Sequence, residues 1–248
     1  MNCKNCDNLT SGKFCANCGQ NTRVDKLNLP NFLTEISDNV FQLNRGLFYT
    51  IKELFARPGH TIRGFIQGRR KEYFKPIAYV LTLSTIYFFI SQLSDNATLI
   101  DNFLAGYSNG GEEHGLETNS SPILNWLSDN YAYTTLLLLP LFSFATYLSF
   151  NGLGQNYLEH IVINSYITGQ QAIIYSFFMI IGVLIDKEDI TVLAAVIICA
   201  IFNYWTFSQF YSNTKGFIII FRLFLSYILY VVFVSIFLIA FTLKSFAM

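Results

Sequence analysis

Residues 68–93 decide the fold, because a basic stretch there passes directly into an apolar one: GRRKEYFKPIAYVLTLSTIYFFISQL. The apolar part, 77–93, is long enough to cross a hydrocarbon layer of about 30 Å as a helix. Four further apolar stretches follow, so the predicted spans are 77–93, 132–150, 160–185, 190–211 and 217–243. The sequence therefore predicts an all-α membrane protein with about five transmembrane helices.

The composition and the charge pattern agree with a membrane protein. The chain is 52% hydrophobic and only 13% charged, which is unusual for a soluble protein of this length. Residues 1–76 carry twelve Lys and Arg against six Asp and Glu, whereas residues 77–248 carry four against ten. Because basic flanks stay on the cytoplasmic side, we predict a cytoplasmic N terminus, an outside loop at 94–131, and placement in the bacterial inner membrane.

Four cysteines near the N terminus form two C-x-x-C pairs, Cys3/Cys6 and Cys15/Cys18. Each pair can supply two of the four thiolates of a tetrahedral metal site. We predict a structural Zn²⁺ in a ribbon over residues 1–22. Iron is the alternative, because it accepts the same ligands. A disulfide or redox centre is disfavoured because no βαβ pattern surrounds the motif. A reducing cytoplasm would keep these thiols available for metal.

Residues 23–76 join the ribbon to the first span and contain three helical patterns: 30–43, 47–55, and a third that uses Ile62, Phe65 and Ile66. Apolar faces flanked by cations suit a membrane interface, so membrane lipid is a predicted partner. The candidate residues for lipid head groups are Arg63, Arg69, Arg70, Lys71 and Lys75. Docking of a partner protein is the alternative, and nucleic-acid binding is the least favoured reading.

The third predicted span carries an unusual number of polar residues: Asn156, Glu159, His160, Asn164, Tyr166, Gln170 and Gln171. Polar groups in a membrane either bond neighbouring helices together or line a path for a solute or proton. We favour the first interpretation. In the second, His160 is the titrating group. We also expect an ion pair between Glu159 and Arg222 of the fifth span.

No catalytic motif occurs in the chain. The patterns H-E-x-x-H, G-x-S-x-G, G-x-G-x-x-G and the P-loop are all absent, and four protein ligands would leave a metal no open position for chemistry. We therefore predict no catalytic residue, and a membrane-embedded enzyme ranks third among the functions.

Several strings resemble an uncharacterised family of bacterial membrane proteins that is common in Bacteroidota. They are CANCGQ at 15–20, GLFYTIKELFARPG at 46–59, the segment 62–76 and YLEH at 157–160. The resemblance implies an N-terminal zinc ribbon and a multi-pass membrane body, and it implies no chemistry. The string at 49–76 is more particular than a simple basic flank requires, which favours a specific docking role for it.

The leading hypothesis is a non-enzymatic inner-membrane accessory or scaffold subunit of a larger complex. In this hypothesis the ribbon and the basic segment beneath it hold a partner protein. The alternative is a small-solute or ion transporter that uses the polar face of the third span.

Overall fold

The computed structural model describes residues 1–22, 24, 46–94, 96–98, 100–102, 105–106 and 122–246. The helix predicted over 30–43 lies outside these residues. The main helices, in chain order, are α1 (Gly46–Ala56), α2 (Pro58–Gln67), α3 (Pro76–Leu93), α4 (Pro122–Asp129), α5 (Tyr131–Ser149), α6 (Tyr157–Ile185), α7 (Glu188–Phe210) and α8 (Gly216–Phe246). The described residues contain two isolated β-bridges and no strand. The predicted all-α class is confirmed.

Five of these helices are long and apolar enough to cross a membrane: α3, α5, α6, α7 and the first part of α8, Gly216–Phe237. This is the predicted number. The polar third segment belongs to α6, which runs without a break for 29 residues. Large apolar side chains such as Leu193, Ile201 and Phe221 stay exposed on the outer faces of α7 and α8. In a bilayer such side chains would contact lipid.

The starts of the helices follow local sequence signals. Pro58 and Pro76 each stand in the first turn of their helix, where the missing N–H costs nothing. At the start of α6, Asn156 and Glu159 form a capping box, in which each side chain accepts a backbone N–H of the other residue. Gly68 ends α2 with a φ of 116°, a left-handed conformation that glycine adopts without strain.

Helix α6 lies at the centre of the bundle formed by α3, α5, α6, α7 and α8. It packs against α3, α5 and α7, and α8 covers α5 and α7. Helices α6 and α3 approach closely, because a Cβ on Gly169 would lie 2.5 Å from the ring of Tyr79. A glycine at this position lets the buried Tyr79 ring lie directly on α6.

The ribbon, α1 and α2 lie at one end of the bundle, which we call the ribbon side. The end of α5, the start of α6, the end of α7 and the start of α8 meet at this end. Phe150, directly after α5, stacks on Tyr211, directly after α7, with ring centroids 5.1 Å apart. We call residues 46–75, which contain α1, α2 and the loop that follows them, the collar.

Candidate metal centre and its attachment to the bundle

The ribbon consists of two matching halves, each built around one C-x-x-C turn. Asp7 donates its N–H to the carbonyl of Cys3 at 2.9 Å, and Gly19 donates to Cys15 at 2.8 Å. Both residues have a positive φ, 59° for Asp7 and 71° for Gly19. Glycine adopts this conformation freely and aspartate tolerates it. The two turns therefore share one shape, although only the second has the glycine.

The four cysteine sulfurs surround one point, and all lie within 4.8 Å of one another. The Cys3–Cys18 and Cys6–Cys15 sulfurs are each 3.6 Å apart. A tetrahedral ion with metal–sulfur bonds of about 2.3 Å requires sulfurs about 3.8 Å apart. The donor set therefore fits a tetrahedral metal ion. Four protein sulfurs would complete its coordination, which is typical of a structural site.

The thiols differ in how readily they release a proton. The backbone N–H of Asn8 and the side chain of Asn17 lower the pKa of Cys6 to about 6. Burial raises the pKa of Cys18 to about 12. A metal ion must displace the protons that remain, so its binding should weaken as the pH falls.

Gln20 attaches the ribbon to the collar. Its side-chain N–H donates to the carbonyl of Gly68 at 2.8 Å, and its side-chain oxygen accepts the N–H groups of Arg70 and Lys71 at 3.0 and 3.1 Å. The Gln20 side chain is buried. Because it immediately follows Gly19 of the second metal turn, metal binding and this attachment share one short segment.

We expect Gln20→Ala to weaken metal binding without abolishing it. Losing buried hydrogen bonds that hold the folded ribbon costs about 1–3 kcal/mol, and metal binding is linked to ribbon folding. Competition with a chelator should therefore show an affinity roughly ten-fold lower or more. Gln92→Ala, at an exposed position at the other end of the bundle, should match the wild type. Equal affinities for all three proteins would contradict the attachment.

Arg63 and Gly59 fix the collar to the end of α7. The Arg63 guanidinium donates to the carbonyl of Gln209 at 2.8 Å and also to the carbonyl of Phe210. These carbonyls close α7, where a cation is favoured. The N–H of Gly59 donates to the side chain of Gln209 at 3.1 Å. A Cβ on Gly59 would lie only 2.4 Å from the backbone nitrogen of Phe210.

The basic residues predicted to contact lipid have varied surroundings. Arg69 lies 3.7 Å from Asp7 of the ribbon, in an exposed ion pair that contributes little stability. The guanidinium of Arg70 lies over the ring of Phe65 at 5.8 Å. Lys71 is exposed and Lys75 is half-buried at the start of α3. Contact of these residues with lipid head groups stays a prediction. The contact of Arg63 with the end of α7 was not predicted from the sequence.

The polar residues of α6 bond neighbouring helices and the collar. His160 Nδ1 lies 3.1 Å from the Thr146 hydroxyl of α5, to which Asn164 donates at 2.8 Å. Tyr166 donates to the carbonyl of Phe74 at 2.7 Å. Gln170 accepts the hydroxyl of Tyr79 on α3 and donates to the carbonyl of Ile51 at 3.5 Å. These contacts are those of residues that bond helices together.

The prediction of an ion pair between Glu159 and Arg222 is wrong, because the described part of the chain shows no such pair. Glu159 closes the capping box of α6 instead. The guanidinium of Arg222 donates to the carbonyls of Ser149 and Asn151 at 3.2 and 3.0 Å. Arg222 thus satisfies the carbonyl groups at the end of α5, which are left without partners where that helix stops.

We expect Tyr79→Phe to destabilise the bundle by about 1–2 kcal/mol, because it leaves the buried Gln170 oxygen without a donor. The measurement is the thermal unfolding midpoint in detergent. Tyr133→Phe removes an exposed hydroxyl and should leave the midpoint unchanged. If both variants unfold like the wild type, the Tyr79–Gln170 bond does not hold α3 to α6.

These features define a multi-pass helical protein of membrane type with a ribbon fixed to one end of its bundle, in which four cysteines could hold a metal ion. The sequence model of a family described as "Protein of unknown function (DUF3667)" matches residues 44–88. The match covers the collar and most of α3, which is the part of the chain that connects the ribbon to the bundle. No curated protein and no solved structure matches the chain.

Proposed function

We propose that the chain is a non-enzymatic accessory or scaffold subunit of a membrane complex, and that the ribbon is a rigid head for a partner protein. The observation that carries this proposal is the three-bond attachment of Gln20 to residues 68–71. Arg63 continues the attachment into α7. A ribbon whose only role was to bind metal would need neither contact.

The exposed side chains of the ribbon favour the binding of a partner protein. Leu9 is 85% exposed and Phe14 is 63% exposed. The ribbon has few large apolar side chains, and these two lie on its surface and not in its interior. Exposed apolar side chains of this size are available for contact with a partner protein. The ribbon therefore offers apolar contact area on a fixed support.

The transporter alternative has less support. A solute path requires polar groups that are free to bind the solute. His160 and Gln170 are engaged with neighbouring elements, and the side-chain N–H of Asn164 donates to Thr146, whereas the side-chain oxygen of Asn164 has no partner among the described residues. Those bonds favour a structural role for the polar face of α6.

The proposal includes a placement and a metal. We place the protein in a bacterial inner membrane with the ribbon side in the cytoplasm, because the basic residues flank that side. The family resemblance favours a Bacteroidota source. We propose zinc as the metal, because four thiolates in a closed site suit it.

Affinity purification of the full chain from native membranes tests this function. We expect a stoichiometric partner with the wild type and with Gln92→Ala, and its loss with Gln20→Ala or with Phe14→Ala while the metal is retained. Phe14→Ala removes only an exposed side chain, so folding should be unaffected. Purification of the wild type alone, together with solute flux in liposomes that His160→Ala abolishes, would contradict the proposal.

A further inference from the structure

The ribbon side contains a second feature that the proposed function does not use, a cavity of about 480 Å³. It lies between α2, the start of α6, and the loops that follow α5 and α7. Its lining includes one anionic and one cationic side chain, Glu159 from α6 and Arg63 from α2. Among the described residues these two side chains do not form an ion pair with each other or with another residue.

Glu159 is the anionic residue of the cavity lining. The residue is only 4% exposed. One carboxylate oxygen accepts the N–H of Asn156 at 2.9 Å, and no cation contacts the carboxylate in the described part of the chain. A buried carboxylate is costly without a cation or several hydrogen bonds. Glu159 therefore has unused capacity to accept hydrogen bonds beside the cavity.

Two further residues of the lining carry oxygens without a partner in the described residues. They are the hydroxyl of Tyr211, a residue that is 6% exposed, and the side-chain oxygen of Gln155. Together with Glu159 they offer three acceptors around one cavity. A primary ammonium group has three N–H donors, whereas a quaternary ammonium group has none.

Arg63 is the cationic residue of the cavity lining. One guanidinium nitrogen, Nη2, donates to Gln209, Phe210 and Ser212. The N–H groups on Nη1 and Nε have no partner within the described residues. Planar N–H pairs of this kind suit phosphate oxygens. The cavity also lies where α6 begins and α7 ends, which is the depth of lipid head groups if these helices span the membrane.

We propose that this cavity binds an aminoalkyl phosphate, with the primary ammonium group at Glu159 and the phosphate at Arg63. Phosphatidylethanolamine in the membrane and soluble phosphoethanolamine both carry this chemistry. The site does not depend on whether the ribbon holds a partner protein.

The test uses the full chain in nanodiscs that contain equal amounts of phosphatidylethanolamine and phosphatidylcholine. Native mass spectrometry then identifies the lipid that stays bound. The two head groups have the same net charge and differ in N–H donors, so the wild type should retain phosphatidylethanolamine selectively. Glu159→Gln should lower this retention about ten-fold or more. Glutamine can still complete the capping box. Glu188→Gln, at the other end of the bundle, should match the wild type.

A second experiment shows whether the bound aminoalkyl phosphate is a membrane lipid or a soluble molecule. Phosphoethanolamine is titrated into protein in pure phosphatidylcholine nanodiscs, with phosphocholine as the control. Selective binding that Glu159→Gln weakens would support the site with a soluble ligand. Tyr211→Phe keeps the aromatic ring and should also weaken binding, which provides a test if Glu159→Gln does not fold. Equal retention of both lipids with no phosphoethanolamine binding, or selectivity that neither variant changes, would overturn the proposal.

Discussion

Replacing Cys15 with serine should unfold the ribbon and leave the helical bundle intact. Cys15 is buried, and its sulfur is one of the four that could hold a metal ion. The ribbon has little apolar material that could hold it together without a metal. Metal binding contributes roughly 10–16 kcal/mol to the folding of such small sites. The three sulfurs and one hydroxyl of the variant would bind a metal ion far less tightly than the four sulfurs of the wild type. Metal analysis of the purified protein measures the loss of metal, and hydrogen exchange measures the unfolding of the ribbon.

Cys199→Ser is the matched control, because Cys199 is buried on α7 and is not part of the four-cysteine cluster. It should keep a full complement of metal and the exchange pattern of the wild-type ribbon. The bundle amides of α6 should exchange slowly in both variants. If Cys15→Ser kept stoichiometric metal and a protected ribbon, the four-sulfur site would not be what holds the ribbon together.

Replacing Gly59 with alanine should separate α2 from α7. The added Cβ would lie 2.4 Å from the backbone nitrogen of Phe210 and 2.6 Å from the carbonyl oxygen of Thr206. Both are backbone atoms of a helix or of its last turn, so neither can move aside cheaply. We expect a loss of roughly 3 kcal/mol or more, measured by thermal unfolding and by faster hydrogen exchange in residues 58–67.

Gly106→Ala is the control for this substitution, because a Cβ at Gly106 meets nothing within 4 Å. It should unfold like the wild type. A Gly59→Ala protein with wild-type stability and wild-type exchange in α2 would show that α2 does not pack on α7 as closely as described.

The features that could be predicted from the sequence were those that local patterns specify. Hydropathy identified five spans because each helix is apolar over its own length. The two C-x-x-C pairs indicated one metal site because each turn positions its own sulfurs. The capping box at Asn156 and Glu159 was equally local, a polar residue followed three positions later by glutamate. Both residues were instead interpreted as part of a polar face, and Glu159 also as the partner of Arg222.

The features that could not be predicted depend on which elements meet in space. Arg63 was interpreted as a lipid contact because nothing in its neighbourhood indicates that α2 reaches the carbonyls of Gln209 and Phe210. The Glu159–Arg222 pair was expected from depth alone, but Arg222 instead bonds to carbonyl groups, which every residue carries. Gln20 belonged to a quoted motif, yet its role depends on the backbone of Arg70 and Lys71, fifty residues away.

Gln20 and Arg63 join the ribbon, the collar and the bundle into one body. Hydrogen exchange at the amides of Arg70 and Lys71 tests this attachment most directly, because both N–H groups donate to Gln20. With metal bound, we expect both amides to be protected. Chelation should make them exchange faster by about ten-fold or more, while the amides of α6 do not change. Equal protection of Arg70 and Lys71 with and without metal would show that the metal-bound ribbon is not held to the collar through Gln20.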